Sequence, residues 1–289
     1  MDNTLNISQT RRQIPYGRIA YQTIRYLISV GIALIVIVPL VSAVLGGFKT
    51  TGELLQEPFG WPSTFYLTNY SRVIASQSFW IELRNSTFVM VCTTVGVVAL
   101  ASMPAFVFAR LRFPGREVIF NFFTIGLLFP LTVAILPLYI TLRQVNLIDN
   151  LWGIILPQIA FGLPANILIL RGFFAAVPNE LQEAASIDGC SSFGFFWRIL
   201  LPIVRPALAA VVVLTMVASW NNFFLPLLVL NKEDLWTLPL GIMQYQGQFG
   251  TDYAQILAFI SLALVPTIIF YLIAERHIVS GLTAGAVKG

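Results

Sequence analysis

Charge is what this sequence has least of. Only 10% of its 289 residues are Asp, Glu, Lys or Arg, against about 25% in a soluble globular domain. That deficit excludes an ordinary water-facing surface. The single histidine, His277, excludes a histidine-based metal centre. The two cysteines lie far apart, Cys92 in an apolar run and Cys190 in a polar one. They read as free thiols and exclude a disulfide framework. The basic residues form no run, which excludes a nucleic-acid binder despite a net charge of +4. No nucleophile–base pair stands out, so the chain does not read as an enzyme. The glycine-rich tail Gly281–Gly289 contains a lysine, but a Walker loop needs G-x-x-x-x-G-K-[ST] between a strand and a helix. Gly281 and Gly285 are too close and Lys288 is misplaced. The chain therefore cannot hold ATP in that way, and the energy for any pumping must come from a partner.

Long apolar stretches take the place of charge. No Asp, Glu, Lys, Arg or His occurs in six windows: Tyr26–Phe48, Asn85–Ala109, Val118–Leu142, Asn150–Leu170, Pro206–Asn231 and Tyr253–Ala274. Each exceeds the roughly 20 residues a helix needs to cross a bilayer. A charge at mid-membrane costs about 2.5–3.5 kcal/mol on insertion scales. In lipid the backbone must also bond to itself, which selects helices. A β-barrel would alternate over about ten residues, and these runs do not. The reading is an all-α membrane protein with six transmembrane helices.

Lys and Arg set the orientation. With both ends in the cytoplasm, Arg11, Arg12, Arg18, Arg25, Arg110, Arg112, Arg116, Arg171, Arg198, Arg205, Arg276 and Lys288 lie inside. Only Lys49, Arg72, Arg84, Arg143 and Lys232 lie outside. The positive-inside rule favours cytoplasmic termini. The parts are then a cytoplasmic segment 1–25, a first span with a long outer loop 26–84, a core of five spans 85–276 and a cytoplasmic tail 277–289. The first span is too long for the apolar core of a secretory signal and is expected to be retained.

Several prolines fall inside the windows: Pro39, Pro104, Pro130, Pro137, Pro157, Pro164, Pro226 and Pro266. They read equally as hinges or as residues that membrane helices tolerate. Neutral polar residues inside spans face the bundle interior more often than lipid. Asn221, Asn222, Gln158 and Asn166 are the candidates for a substrate pathway, with interhelical hydrogen bonding as the alternative for each. Asn85 and Asn121 sit near span ends.

The longest inner connection, residues 178–206, carries the most specific pattern. Pro178 suits a first helical turn and Glu180 its dipole. Gly189 suits the left-handed position that stops a helix, and Ser191 or Ser192 can cap the next. Phe193, Phe196, Trp197 and Leu200 form one apolar stripe at helical spacing. Glu183-Ala184-Ala185, Asp188-Gly189, Ile199, Leu201-Pro202 and Pro206 resemble the EAA loop of ABC importer permeases. The tail Gly281–Gly289, Trp220-Asn221-Asn222-Phe223 and Phe48-Lys49-Thr50-Thr51 resemble the carbohydrate class of that family, similar to maltose-transporter permeases. Alanine is commoner at the position of Cys190.

The resemblance implies a type I ABC importer permease fold. It makes Glu183, Ala184, Ala185, Asp188 and Gly189 a cytoplasmic coupling helix that contacts an ATPase subunit. Gly285 and Lys288 would lie in a tail reaching the ATPase dimer. The implied partners are a homologous permease subunit in a heterodimer, two ATPase subunits and an extracytoplasmic sugar-binding protein. Loops Lys49–Arg84 and Lys232–Asp252 would face that protein. This chain would carry no cofactor, ATP and Mg being used by the ATPase subunits. A glycerol phosphate or polyol permease remains open. A secondary transporter would normally show an ionisable residue at mid-membrane, and a scaffold would have little use for the EAA loop.

Overall fold

The computed structural model describes residues 16–247 and 250–286, with side chains placed over 21–246 and 251–272. The first apolar window becomes α1 (Tyr16–Gly46). Two short outer helices follow, α2 (Thr51–Gln56) and α3 (Thr68–Ala75). The Thr50 hydroxyl caps α2 by accepting from the Glu53 N–H, which satisfies one of the donors a helix start leaves free. Lys49 is fully buried here and donates to the Glu57 carbonyl at 2.6 Å. Asn69 donates to the carbonyls of Gly47 and Lys49, fixing the turn that leaves α1.

The second window becomes α4 (Gln77–Arg110), capped by Ser76 and unbroken at Pro104. The third was expected as one helix and is two: α5 (Arg116–Ile125) with a 3-10 turn Gly126–Leu128, then α6 (Leu131–Gln144), bent by 96°. Pro130 is the physical reason. It offers no N–H and disfavours a helical residue before it, and Phe129 is extended. The fourth window is α7 (Trp152–Ala176), which runs through Pro157 and Pro164. The other prolines of the windows also lie within helices, so Pro130 alone of the eight marks a break.

The inner connection forms α8 (Asn179–Ile187), α9 (Ser192–Phe195), a π-helical stretch Phe196–Leu200 and α10 (Leu201–Ile203). It turns by 78° into α11 (Arg205–Trp220). The fifth window was also expected to be continuous. It stops at Trp220 and resumes as α12 (Phe224–Val229). The loop before the last helix holds α13 (Leu238–Gly241) and an antiparallel pair, β1 (Gln246–Gly247) with β2 (Gly250–Thr251). The last element is α14 (Tyr253–Ala286). Among the described residues, four helices are long and apolar enough to cross a membrane, or six when each bent pair counts as one span.

α4 is the central helix. It packs along α7 over the longest contact in the chain, and against α11, which in turn packs on α14. Three apolar clusters hold these helices. One joins the inner ends of α4 and α7 to the α8–α10 region through Phe106, Phe174, Phe196 and Leu200. A second joins α4, α7 and α12 through Val89, Ile154, Leu225 and Val229. A third joins α3, α4, α11 and α14 through Val73, Met90, Trp220 and Phe259. By contrast, α1 between Tyr21 and Leu40 has apolar side chains exposed on every side, the pattern of a helix solvated by lipid or by another subunit.

Asp149, in the turn before α7, ties the second cluster together at its outer edge. Its carboxylate accepts from the Asn231 N–H at 2.6 Å, from the Asn231 side chain and from the Lys232 N–H. These bonds, the Asn231 N–H first, hold the carboxyl below the usual aspartate range. A depressed folded-state value means stability that is present above the unfolded value and lost as pH falls through the folded one. In detergent, the melting temperature of wild type should drop more than that of Asp149→Asn between about pH 6 and about pH 3. Equal drops would contradict the assignment.

Candidate functional site

Helices α4, α7 and α11 form most of the lining of an open-mouthed cavity of about 350 Å³, with Leu131 of α6 and Leu225 of α12. Its polar lining comes from Thr93 on α4, Gln158 and Asn166 on α7, Thr215 and Ser219 on α11, and Asn222 just beyond it. Leu131, the first residue after the Pro130 break, closes one side, and Phe161 offers an aromatic face. No ionisable side chain lines it. Asn166 commits its donor to the Gly162 carbonyl at 2.8 Å. Asn222 accepts from the Leu225 N–H, which starts α12 after the gap in the fifth window. Among the described residues, ten buried side-chain atoms have no hydrogen-bond partner, and five of them belong to this lining: the hydroxyls of Thr93, Thr215 and Ser219, and both polar atoms of the Gln158 amide. Leaving such a group unsatisfied costs about 1–3 kcal/mol, so their convergence on one cavity from α4, α7 and α11 is a feature to be explained.

Three of the four residues singled out from the sequence thus meet in one cavity. Asn221 does not. It donates to the Val217 carbonyl and lines a separate cavity of about 160 Å³ between α11, α13 and α14. Both residues lie past the last residue of α11 and face different cavities. Thr93, Thr215 and Ser219 were missed. The signal was present: Thr215, Ser219 and Asn222 recur at i, i+4 and i+7, the spacing of one helix face.

At one end of the bundle, residues 178–206 form an arm. α8 ends in a Schellman turn. The Cys190 N–H donates to Ala185 O at 2.8 Å and the Gly189 N–H to Ser186 O at 3.1 Å, with Gly189 at φ +79°. The accompanying apolar contact is present, since Ala185 and Cys190 belong to the same cluster. Any side chain at Gly189 would be strained by that φ. Ser191 then caps α9 through the Gly194 N–H. Pro178 lies one residue outside α8, as its cap, instead of in its first turn.

The expected single stripe on the next helix is divided. Phe196 and Leu200 are buried, but Phe193 and Trp197 are exposed, packed edge-to-face on each other. Phe195, outside the stripe, is buried instead. The i→i+5 bonding of the π stretch winds the backbone more loosely than an α-helix, so α-helical spacing no longer reports the face. On α8 itself Ala185 alone is buried. Glu183, Ala184, Asp188 and Gly189 are exposed, as are Leu181 and Ile187, the latter by 87%.

Arg110, the last residue of α4, grips this arm. It donates to the Asn179 side chain at 2.7 Å and to the Pro178 carbonyl at 3.3 Å, and its guanidinium lies over the Phe195 ring. α7 runs into the arm through Val177, and α11 leaves it through α10. All three helices that line the cavity are therefore joined to the arm, two by the chain and one by Arg110. Beside it, Arg171 near the end of α7 pairs with Glu117 on α5 at 2.6 Å and stacks over Phe120.

The outer end has its own fastening, which the windows did not reveal. Asn85 on α4 is buried and donates to the carbonyls of Asp234 and Trp236. The Ser86 hydroxyl accepts from the Leu238 N–H. Glu82 is buried beneath Gly241, where a Cβ would collide with its carboxylate. Asn85 therefore has a definite task although it lies at a span end. Gly285 falls where side chains are not described, and Lys288 lies outside the described residues.

Comparison with known proteins gives a consistent picture. Residues 94–282 match a family model described as "Binding-protein-dependent transport system inner membrane component". The diacetylchitobiose uptake system permease protein NgcG of Streptomyces coelicolor is 34% identical, over 89% of this chain and 85% of that protein. The arabinooligosaccharides transport system permease protein AraQ of Halalkalibacterium halodurans is 32% identical, over 91% and 96%. In fold, the chain is similar to a crystal structure of a bacterial ABC transporter involved in import of alginate. The TM-score is 0.79 at 21% identity, covering 92% of this chain and 99% of that one.

The Arg110 contacts carry a direct test. Replacing Arg110 by Ala removes two charge-assisted bonds to the start of α8. Amide hydrogen exchange over 179–187 should then speed up about tenfold, equivalent to about 1.4 kcal/mol, while the middle of α4 keeps its protection. Unchanged exchange over 179–187 would show that the arm is held by its apolar contacts alone.

Proposed function

The chain belongs to the family of binding-protein-dependent transport system inner membrane components, and from this we propose that it is the permease subunit of an ABC importer that carries a sugar across the membrane. The members of this family are membrane subunits and not enzymes. The observation that carries the proposal is the arm: an exposed helix outside the spans, rigidly returned at Gly189 and joined to all three cavity-lining helices.

On this reading α8 is the coupling helix. Glu183, Ala184, Asp188 and Gly189 meet an ATPase subunit, and Ala185 anchors the helix from behind. Leu181 and Ile187 are exposed apolar groups suited to a cleft in that subunit. ATP and Mg are used by two such ATPase subunits, and this chain holds no cofactor. Both termini are cytoplasmic, as the Lys and Arg bias requires, and Gly285 and Lys288 reach towards the ATPase pair. A homologous permease subunit covers part of the exposed α1 and completes the translocation path. A sugar-binding protein docks on the outer side against the Lys49–Arg84 and Lys232–Asp252 loops. When the ATPase subunits close on ATP, the displacement of α8 passes through Arg110 to α4, through Val177 to α7 and through α10 to α11. The cavity then opens to the other side. Its residues Gln158, Asn166 and Asn222 lie on that path, and Asn221 lies beside it.

The test is the purified assembly. Wild type in mild detergent should bring down an ATPase subunit. Gly189→Val should still insert but lose stimulated ATPase activity and uptake by about tenfold or more, because a β-branched residue at φ +79° misdirects the turn. Glu183→Ala should lower both more mildly. Full uptake in Gly189→Val, or no ATPase partner with wild type, would overturn the proposal.

A further inference from the structure

The chemistry of the central cavity deepens the permease reading, on which this inference rests. We propose that this chain itself supplies a recognition subsite for one ring of an uncharged, hydroxyl-rich sugar, with Thr93, Gln158, Thr215 and Ser219 as its specificity-determining residues.

Thr93, Thr215 and Ser219 are each more than nine-tenths buried, line the cavity and have no hydrogen-bond partner within the chain. Thr87, Ser102, Thr124 and Thr141 bond back to a carbonyl of their own helix, whereas Thr94, beside Thr93 on α4, is also buried without a partner. The three cavity hydroxyls make no such bond, although the same local partners are within reach of any helical hydroxyl. Each can give one hydrogen bond and accept others, and the Gln158 amide adds two donors and an acceptor. A sugar ring has the same mixed donor and acceptor character around its edge.

The absence of charge sets the other half of the specificity. A phosphate or carboxylate taken into this wall would lose its hydration and meet no cation, a strongly unfavourable exchange. A purely apolar solute would leave the hydroxyls and the amide unsatisfied. Phe161 supplies the apolar surface that the C–H face of a ring requires. At about 350 Å³, the cavity lies at the small end of ligand sites, a size suited to a ring and not to a whole oligosaccharide. A longer chain would therefore pass ring by ring. The reading thus separates neutral sugars from glycerol phosphates, which the sequence left together.

The experiment uses the complete transporter in liposomes, with diacetylchitobiose, arabinotriose and glucose 6-phosphate as probes. Wild type should take up at least one neutral sugar and exclude the phosphate. Thr93→Val, Thr215→Val and Ser219→Ala keep shape and remove one hydroxyl each. Each should slow uptake of the neutral sugar about five- to tenfold, as expected for a lost hydrogen bond to substrate. ATPase stimulation by the loaded binding protein should persist, which a merely structural defect would not allow. In unmutated transporter, a diazirine derivative of the transported sugar should label peptides covering 157–166 and 214–222. Unchanged uptake in the triple variant, or labelling confined to other chains, would overturn the subsite while leaving the permease reading intact. Uptake of no neutral sugar by wild type would overturn the permease reading and the subsite with it.

Discussion

The arrangement depends on one junction, where the inner ends of α4, α7 and α11 meet the arm of residues 178–206. Phe106, Phe174, Phe196 and Leu200 form its apolar centre, and Arg110 adds the polar bond from α4 to the start of α8. A well-packed cluster transmits displacement instead of absorbing it, because close-packed side chains have little free volume. The cavity lies between the same three helices. A displacement of α8 therefore cannot leave the cavity walls unmoved without breaking the junction. The breaks elsewhere are consistent with such movement. The 96° bend at Pro130 and the gap between Trp220 and Phe224 both lie beside the cavity, in Leu131 and Asn222.

The two ends of the bundle use different chemistry for the same purpose. At the inner end, arginines whose guanidinium groups rest on Phe195 and Phe120 bind carbonyl, amide and carboxylate groups. At the opposite end, Asn85 and Ser86 hold the loop before α14 through its backbone groups, and Glu82 accepts from the Gln244 side chain. Between them the wall carries neutral polar groups only. This division follows from the solvent. Charges are affordable where water or headgroups are near and are excluded from the hydrocarbon core.

Much of this was legible before any coordinates. The absence of charge located the four unbroken spans and the bent pairs that can complete six, since that signal is set by lipid and needs no tertiary knowledge. The Gly189 turn was legible because its chemistry is local. Gln158, Asn166 and Asn222 stood out as polar residues inside spans, and the structure brings these three to one cavity. What escaped depended on backbone detail or on long-range contact. A charge-free window does not reveal that Pro130 bends one span or that another pauses at Asn221. The π stretch altered which of Phe193, Phe195, Phe196 and Trp197 is buried, because α-helical spacing no longer applied. Thr93, Thr215 and Ser219 were passed over because a hydroxyl in a membrane helix usually satisfies itself on its own backbone, and only the structure shows that these do not.

Transmission from arm to cavity is most directly measured as a distance. Spin labels at Ile169 on α7 and Leu214 on α11 flank the cavity and report its width in the assembled transporter. The account predicts one width without nucleotide and a different one with ATP trapped on the partner subunits. It also predicts that Gly189→Val holds the width at its nucleotide-free value even with ATP bound. A width that responds to ATP equally in wild type and Gly189→Val would contradict it.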